Sequence, residues 1–268
     1  SLDQLSGGRF IVGLGASGPQ VVEGWHGVPY GKPVTRTKEY IKIMRRIFDR
    51  EGPVEFDGKM YQMPYKGEGA TGLGKPLKSI LASTQSIPIY TASITPAGLR
   101  CAGEVADGVF PVWMDPKRYD LIGDHLNEGF AKAGNGKDLS KFNIAPFVSV
   151  AMNDDLDAAF DSLRPWIALY VGGMGARDKN FYFNYATSMG FGDAARKIQD
   201  LYLDGKKNEA AAEVPNELLD AVSLVGSKER IIDRLQPWKE AGKRGEVGTM
   251  LLGVHDIAVL ELFAKEML

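Results

Sequence analysis

The chain has 268 residues, of which 44% are hydrophobic and 25% are charged, a composition typical of a globular protein with a sizeable core. Its formal net charge of -2 gives no basic footprint for nucleic acid, and no apolar run in the sequence is long enough to cross a membrane. The single cysteine, Cys101, excludes an internal disulfide and fits a reducing compartment. We therefore expect a cytoplasmic protein in which Cys101 is a buried, inert thiol.

The first predicted element is a strand over residues 9–14 that runs into glycines. Gly13, Gly15 and Gly18 match the dinucleotide-binding pattern G-x-G-x-x-G. That pattern needs a helix directly after the last glycine, and we expect none because glycine and proline recur through residues 19–33. The sequence therefore predicts a glycine-ended strand that opens into a long ligand-binding loop. The loop contains Trp25, His26 and Tyr30.

Strand and helix patterns alternate through the rest of the chain. An amphipathic helix is predicted over residues 35–50, with its apolar face formed by Tyr40, Ile43, Met44 and Ile47. A hairpin over 54–61 and a polar loop to residue 86 follow. Further strands are predicted at 88–92, 108–112, 142–152 and 247–252. Further helices are predicted at 96–105, 116–132, 154–170, 227–241 and 257–267.

This alternation predicts an α/β fold with parallel strands, either an open doubly wound sheet or a closed barrel. We expect a single domain over residues 1–268. Residues 172–226 show helices and loops without a strand pattern, so they are predicted to be a helical insertion before the last strand. Two interpretations of the aromatic residues in this insertion stay open, a hydrophobic substrate channel and ordinary helix packing. These residues are Phe181, Tyr182, Phe183 and Tyr185.

The sequence does not match the motifs expected for nucleotide hydrolysis or for metal binding. Residues 69–75 match the start of a P-loop, but Pro76 replaces the hydroxyl residue that must reach magnesium. The histidines His26, His125 and His255 are widely separated, so we expect no metal site. His255 follows the last predicted strand, where it fits either a functional group or a cap of the final helix.

The strand over residues 88–92 ends in small polar residues. Ser93 or Thr95 can cap a helix that begins at Pro96, and the free amides after Thr95 can alternatively bind an anion. Two neighbouring strand ends would then offer open backbone to one elongated ligand.

In order and spacing, these segments resemble the bacterial luciferase-like superfamily, and within it the branch that uses the deazaflavin coenzyme F420. The resemblance covers nearly the whole chain and rests on residues 5–25, 35–40, 69–78, 88–111, 172–177 and 224–226. It implies a (β/α)8 TIM barrel with a helical insertion before the last strand. It also implies that the chain begins near the fourth barrel strand. We therefore expect the N-terminal three βα units, and the catalytic residues that they carry, to be absent from this sequence.

The resemblance assigns cofactor binding to two groups of residues. The loop after the first strand, expected to lie against the cofactor, contributes Gly15, Ala16, Ser17, Gly18 and Val22. The segment expected on the phosphate side contributes Ala92, Ser93, Ile94 and Thr95. Ser17 and Gly18 are the residues expected to touch the ligand.

The function implied is that of an oxidoreductase that transfers a hydride between F420 and a small organic substrate, either of the CH–OH or CH=N type or as one of two paired donors. An FMN-dependent monooxygenase and a non-catalytic barrel fragment stay open as alternatives. We expect a homodimer that has a small-molecule substrate and no metal, nucleic-acid or membrane partner.

Overall fold

The computed structural model describes residues 1–84, 86–177, 179–254 and 256–267. Its strands are β1 (Val12–Gly15), β2 (Phe56–Asp57), β3 (Gln62–Met63), β4 (Ile89–Ala92), β5 (Gly108–Phe110), β6 (Asn143–Ile144), β7 (Phe147–Met152), β8 (Ser223–Gly226) and β9 (Leu251–Gly253). Its helices are α1 (Leu2–Leu5), α2 (Pro19–Trp25), α3 (Pro33–Asp49), α4 (Pro96–Val105), α5 (Asp120–Ala133), α6 (Leu156–Ala168), α7 (Phe181–Ala186), α8 (Gly192–Leu203), α9 (Lys207–Ala212), α10 (Asn216–Val222), α11 (Lys228–Arg234), α12 (Gln236–Lys243) and α13 (Ile257–Met267).

Parallel strands form two sheet segments. The first has the order β1-β4-β5-β6, and the second has the order β8-β7-β9. A parallel bridge between Val112 and Phe147 connects the chain beyond β5 with the start of β7. Helices separate successive strands of these sheets except β6 and β7, which confirms the predicted α/β alternation. The antiparallel pair β2-β3 stands apart and confirms the predicted hairpin.

Helices α4 and α5 pack on one face of the strands. Val109, Ile144 and Val148 alternate with residues of the other face and lie in one hydrophobic cluster with residues of α4 and α5. The two helices touch at Gly103 and Gly129, where a Cβ on Gly129 would lie 2.4 Å from a backbone oxygen. Glycine is therefore required for the close approach of α4 and α5.

The predicted apolar face of α3 is confirmed at Ile43, which is buried, and at Met44, which packs against the core, but not at Tyr40. Ile41 is 1% exposed and packs near Ile89 of β4, whereas Tyr40 is 44% exposed. The Tyr40 ring instead lies beside Tyr61 of the hairpin, with 5.9 Å between ring centroids. The periodicity of α3 alone assigns Tyr40 to the core. The contact with the hairpin explains why Tyr40 lies at the surface instead.

Residues 172–226 contain a strand, so the prediction of a region without strands was wrong. All four residues of β8 are buried and pair with β7. A short segment that is buried on both faces shows no alternation of polar and apolar residues, which is the signal that identifies strands from sequence. The predicted strand over 142–152 is also interrupted, because Pro146 lies between β6 and β7 and has no amide to donate.

The helices between β7 and β8 enclose a separate hydrophobic cluster together with Trp113. Tyr185 is buried in it, and the Tyr182 ring lies 5.3 Å from that of Trp113 and 4.6 Å from that of Tyr170. Helix packing therefore accounts for Tyr182 and Tyr185. Within the part of the chain that the structure describes, no helix has the length and apolar character to pass through a lipid bilayer.

Candidate functional site

The carboxyl ends of β1 and β4 lie side by side. The strands are parallel, and Gly15 pairs with Ala92. A Cβ placed on Gly15 would lie 3.7 Å from the Cβ of Ala92, so both residues present the same face of the sheet. Both are exposed. Parallel pairing therefore brings together the two small-residue segments that the sequence singled out.

Phe110 of β5 borders this pair of strand ends. It pairs with Ala92, and its ring lies 5.2 Å from the ring of Tyr90. A Cβ on Gly13 would come within 3.0 Å of the Phe110 ring, so Gly13 leaves room for it. Phe110 was not among the residues predicted for the site. The period-2 alternation from Gly108 could have placed it on this face.

The β1–α2 turn (residues 16–18) follows β1 directly. Ala16 and Ser17 are exposed, and Ser17 has a φ of 56°, in the left-handed region that residues with a side chain seldom adopt. Gly18 is the N-cap of α2, so the predicted absence of a helix after Gly18 was wrong. Proline is tolerated at the first helical position because the amide it lacks has no partner inside the helix.

The dinucleotide-binding unit is nevertheless not formed. Helix α2 has only 7 residues, and it is followed by α3 rather than by a strand that would carry a ribose-binding acidic residue. Val22, which the resemblance assigned to the cofactor, is 8% exposed and is the buried residue of α2. A ligand therefore has little access to the side chain of Val22.

Thr95 is the N-cap of α4. Its hydroxyl accepts a hydrogen bond from the Gly98 amide at 3.1 Å, which confirms the capping prediction. A Cβ on Gly98 would lie 3.0 Å from both the Ser93 and the Thr95 hydroxyl oxygens, so both hydroxyls lie over the first turn of α4. Ile94 is half-buried against the helical cluster. A polar helix start therefore adjoins the small strand end of β4.

Titratable side chains are absent from the two segments that form the strand ends, residues 13–18 and 92–95. His26 is the exposed C-cap residue of α2, while His125 lies on α5 beside Arg100 and Glu128. His255 lies outside the described residues. The two segments can thus bind and orient a ligand through backbone groups and hydroxyls, but they carry no acid or base.

Cys101 is 3% exposed in α4, as expected. Burial raises the pKa of its thiol to about 11, while Lys38 has a smaller opposing effect. A thiol with this pKa is protonated at neutral pH and is a poor nucleophile, which fits the predicted inert role.

Comparisons with known proteins agree with this architecture. Residues 1–245 match the family model described as luciferase-like monooxygenase. A protein of Mycobacterium tuberculosis, named provisionally as a coenzyme F420-dependent oxidoreductase, is 41% identical over 243 residues, which are 90% of this chain and 70% of that protein. The 5,10-methylenetetrahydromethanopterin reductase of Archaeoglobus fulgidus is 27% identical over 269 residues, covering 100% of this chain and 75% of the reductase.

A solved structure shows the same fold. It is the coenzyme F420-dependent tetrahydromethanopterin reductase of Methanopyrus kandleri, which superposes with a TM-score of 0.71 at 23% identity. The match covers 99% of this chain and 75% of the reductase chain. At this level of identity the likeness concerns the fold alone.

Proposed function

Since the chain belongs to the luciferase-like monooxygenase family and has its TIM-barrel fold, we propose that it is an oxidoreductase that uses coenzyme F420 to reduce or oxidise a small organic substrate. The observation that carries this proposal is the pairing of Gly15 with Ala92 beside the start of α4. The 41% identical relative is named for the same cofactor, which supports F420 over FMN.

The strand ends fit a flat cofactor that carries a phosphate. Gly15 has no side chain and Ala92 has only a methyl group, so a ring system can approach the backbone closely. The hydroxyls of Ser93 and Thr95 lie over the first turn of α4, where helix amides favour an anion. We assign cofactor contacts to these residues and to the β1–α2 turn, with Val22 and Ile94 as support. The full set is Gly15, Ala16, Ser17, Gly18, Val22, Ala92, Ser93, Ile94 and Thr95.

Coenzyme F420, when bound, supplies the hydride chemistry. The residues of this chain bind and orient it, and the Phe110 and Tyr90 rings border the strand ends with apolar surface that excludes water. Because the strand-end segments contain no titratable side chain, an acid or base that acts on the substrate must come from another part of the protein. We also propose that the chain forms a single domain, and that the helices within residues 172–226 that precede β8 are its helical insertion.

The test is direct binding of each cofactor to the purified protein, measured by isothermal titration. We expect F420 to bind and FMN to bind far more weakly. In Gly15→Leu, the larger side chain should occupy cofactor space and raise the dissociation constant for F420 by roughly ten-fold or more. Gly52→Leu is the matched control, because a Cβ on Gly52 meets nothing within 4 Å. It should leave F420 binding unchanged.

Three outcomes contradict the proposal or its assignment of Gly15. Binding of FMN without binding of F420 would favour an FMN-dependent monooxygenase. A folded protein, judged by far-UV circular dichroism, that binds neither cofactor would favour a non-catalytic barrel fragment. An equal loss of F420 affinity in Gly15→Leu and Gly52→Leu would show that Gly15 is not part of the cofactor site.

A further inference from the structure

We propose that Tyr30 is a positioning residue that holds the β1–α2 turn in the conformation that binds the cofactor. This inference rests on the proposed function, since it concerns the same site. Tyr30 follows α2 in the chain and contacts the turn from outside through its hydroxyl group.

The contact is a single tertiary hydrogen bond. The Tyr30 hydroxyl donates to the backbone oxygen of Ser17 at 3.1 Å, across 13 residues of chain. Ser17 has a φ of 56°, which is strained for a residue with a side chain and persists only where surrounding contacts enforce it. Ala16 and Ser17 are both exposed, so the turn has little core packing to enforce this conformation. The bond from Tyr30 supplies such a contact.

Tyr30 is itself held from two sides. Its amide donates to the Glu23 carboxylate of α2 at 3.1 Å. Arg36 of α3 donates to the backbone oxygen of Pro29, the preceding residue, at 2.9 Å. These bonds tie the segment that carries Tyr30 to both helices. These bonds fix the position of the Ser17 carbonyl relative to α3. Helix α3 in turn packs against the sheet through Ile41.

The environment of Tyr30 favours a protonated hydroxyl group, which can donate a hydrogen bond. The residue is half-buried, whereas residues 23–29 of the same segment are exposed. Burial raises the pKa of its hydroxyl, and the charge of Arg36 opposes this to a smaller extent. The hydroxyl is consequently protonated at neutral pH and able to donate to Ser17.

The test begins with Tyr30→Phe, which removes only the hydroxyl. We expect the dissociation constant for F420, measured by isothermal titration, to rise about five-fold, the loss of one hydrogen bond. Tyr65→Phe is the matched control, since the Tyr65 hydroxyl also donates to a backbone oxygen, that of Glu68 at 3.0 Å, in an exposed loop. It should leave the dissociation constant unchanged.

A second variant tests whether Tyr30 acts through the turn. Glycine adopts a φ near 56° without strain, so the turn of Ser17→Gly depends less on the bond from Tyr30. We expect Tyr30→Phe to weaken F420 binding by less than about two-fold in the Ser17→Gly background. Additive effects in this double-mutant cycle would show that Tyr30 acts independently of Ser17 and would overturn the inference.

The remaining outcomes separate this inference from the proposed function. Wild-type protein that binds F420, together with an unchanged dissociation constant in Tyr30→Phe, contradicts the role of Tyr30 alone. An equal loss in Tyr65→Phe does the same. Wild-type protein that binds no F420 contradicts both the proposed function and the inference.

Discussion

The strand ends of β1 and β4 and the helical segment between β7 and β8 are built in opposite ways. Around β1 and β4, the buried cluster is small and consists of Ile41, Ile89 and Ala106, and the strand ends above it are exposed. The helical segment encloses a larger cluster in which other aromatic rings make edge-to-face contacts with Trp113. The candidate binding surface is therefore separate from the core that stabilises this molecule.

The separation has a physical basis. A ligand needs accessible backbone and small side chains, which contribute little to hydrophobic stabilisation. Closely packed aromatic rings stabilise the fold but leave no space for a ligand. Substitutions at the strand ends should therefore alter binding more than stability, and substitutions in the helical cluster should do the opposite.

The largest effect on stability is expected for Trp113→Ala. Trp113 is 1% exposed and its ring contacts those of Trp166 and Tyr182, so its removal should lower the free energy of unfolding by about 3–5 kcal/mol. Urea unfolding measures this. Trp25→Ala is the control, because Trp25 is 85% exposed and should cost less than about 0.5 kcal/mol. A similar loss of unfolding free energy in both variants would contradict the distinction between the two regions.

An intermediate effect is expected for Glu39→Gln. Glu39 of α3 is 8% exposed, and its carboxylate accepts hydrogen bonds from the backbone amides of Lys59 at 2.7 Å, Met60 at 2.8 Å and Tyr61 at 3.0 Å. The variant should lose about 1.5–3 kcal/mol of unfolding free energy, because an amide group cannot accept all three bonds. Glu51→Gln, at an exposed position, should be nearly neutral. A neutral Glu39→Gln would contradict this role.

The same carboxylate predicts a pH dependence. Burial acts to raise the pKa of Glu39, but the three backbone donors outweigh it, so the folded-state pKa lies below the ordinary value of 4.5. The stability that the ionised group contributes is present above pH 4.5 and is lost as the pH falls through the lowered folded-state pKa. Urea unfolding from neutral to acid pH should show the gap between wild type and Glu39→Gln narrowing below pH 4.5. A constant gap would argue against an ionised Glu39.

A smaller effect, divided between stability and binding, is expected for Thr95→Ala. Loss of the cap on α4 should cost about 1 kcal/mol and should also weaken F420 binding. Ser227→Ala is the matched control, since the Ser227 hydroxyl caps α11 by accepting from the Arg230 amide at 3.3 Å. Thermal unfolding and isothermal titration should show similar destabilisation in both variants but weaker binding only in Thr95→Ala. Unchanged binding there would remove Thr95 from the cofactor site.

The smallest effect on stability is expected for Gly15→Ala. The new methyl group would make an ordinary contact, 3.7 Å from the Cβ of Ala92, and the free energy of unfolding should change by less than about 0.5 kcal/mol. Binding of F420 should still weaken, though less than in Gly15→Leu. Destabilisation without loss of binding would contradict the assignment of Gly15 to a binding surface.

Much of the local structure could be predicted from the sequence. Helices α4 and α13 have the bounds that were predicted, 96–105 and 257–267. Pro96 at the first helical position and Thr95 before it define the start of α4 through interactions within one turn. The glycine-ended strand and the small residues after β4 were also evident, because they follow from residue types alone.

Contacts between distant residues decided the rest. The pairing of Gly15 with Ala92, the position of Phe110 above Gly13 and the bond from Tyr30 to Ser17 depend on strand order and on the return of the chain after α2. The sequence by itself determined most of the helices and strands and the small residues at the strand ends, but it missed α2 and β8. Only the tertiary structure decided which ends meet and what holds them, because packing and hydrogen bonds between separated segments leave no periodic signal in the sequence.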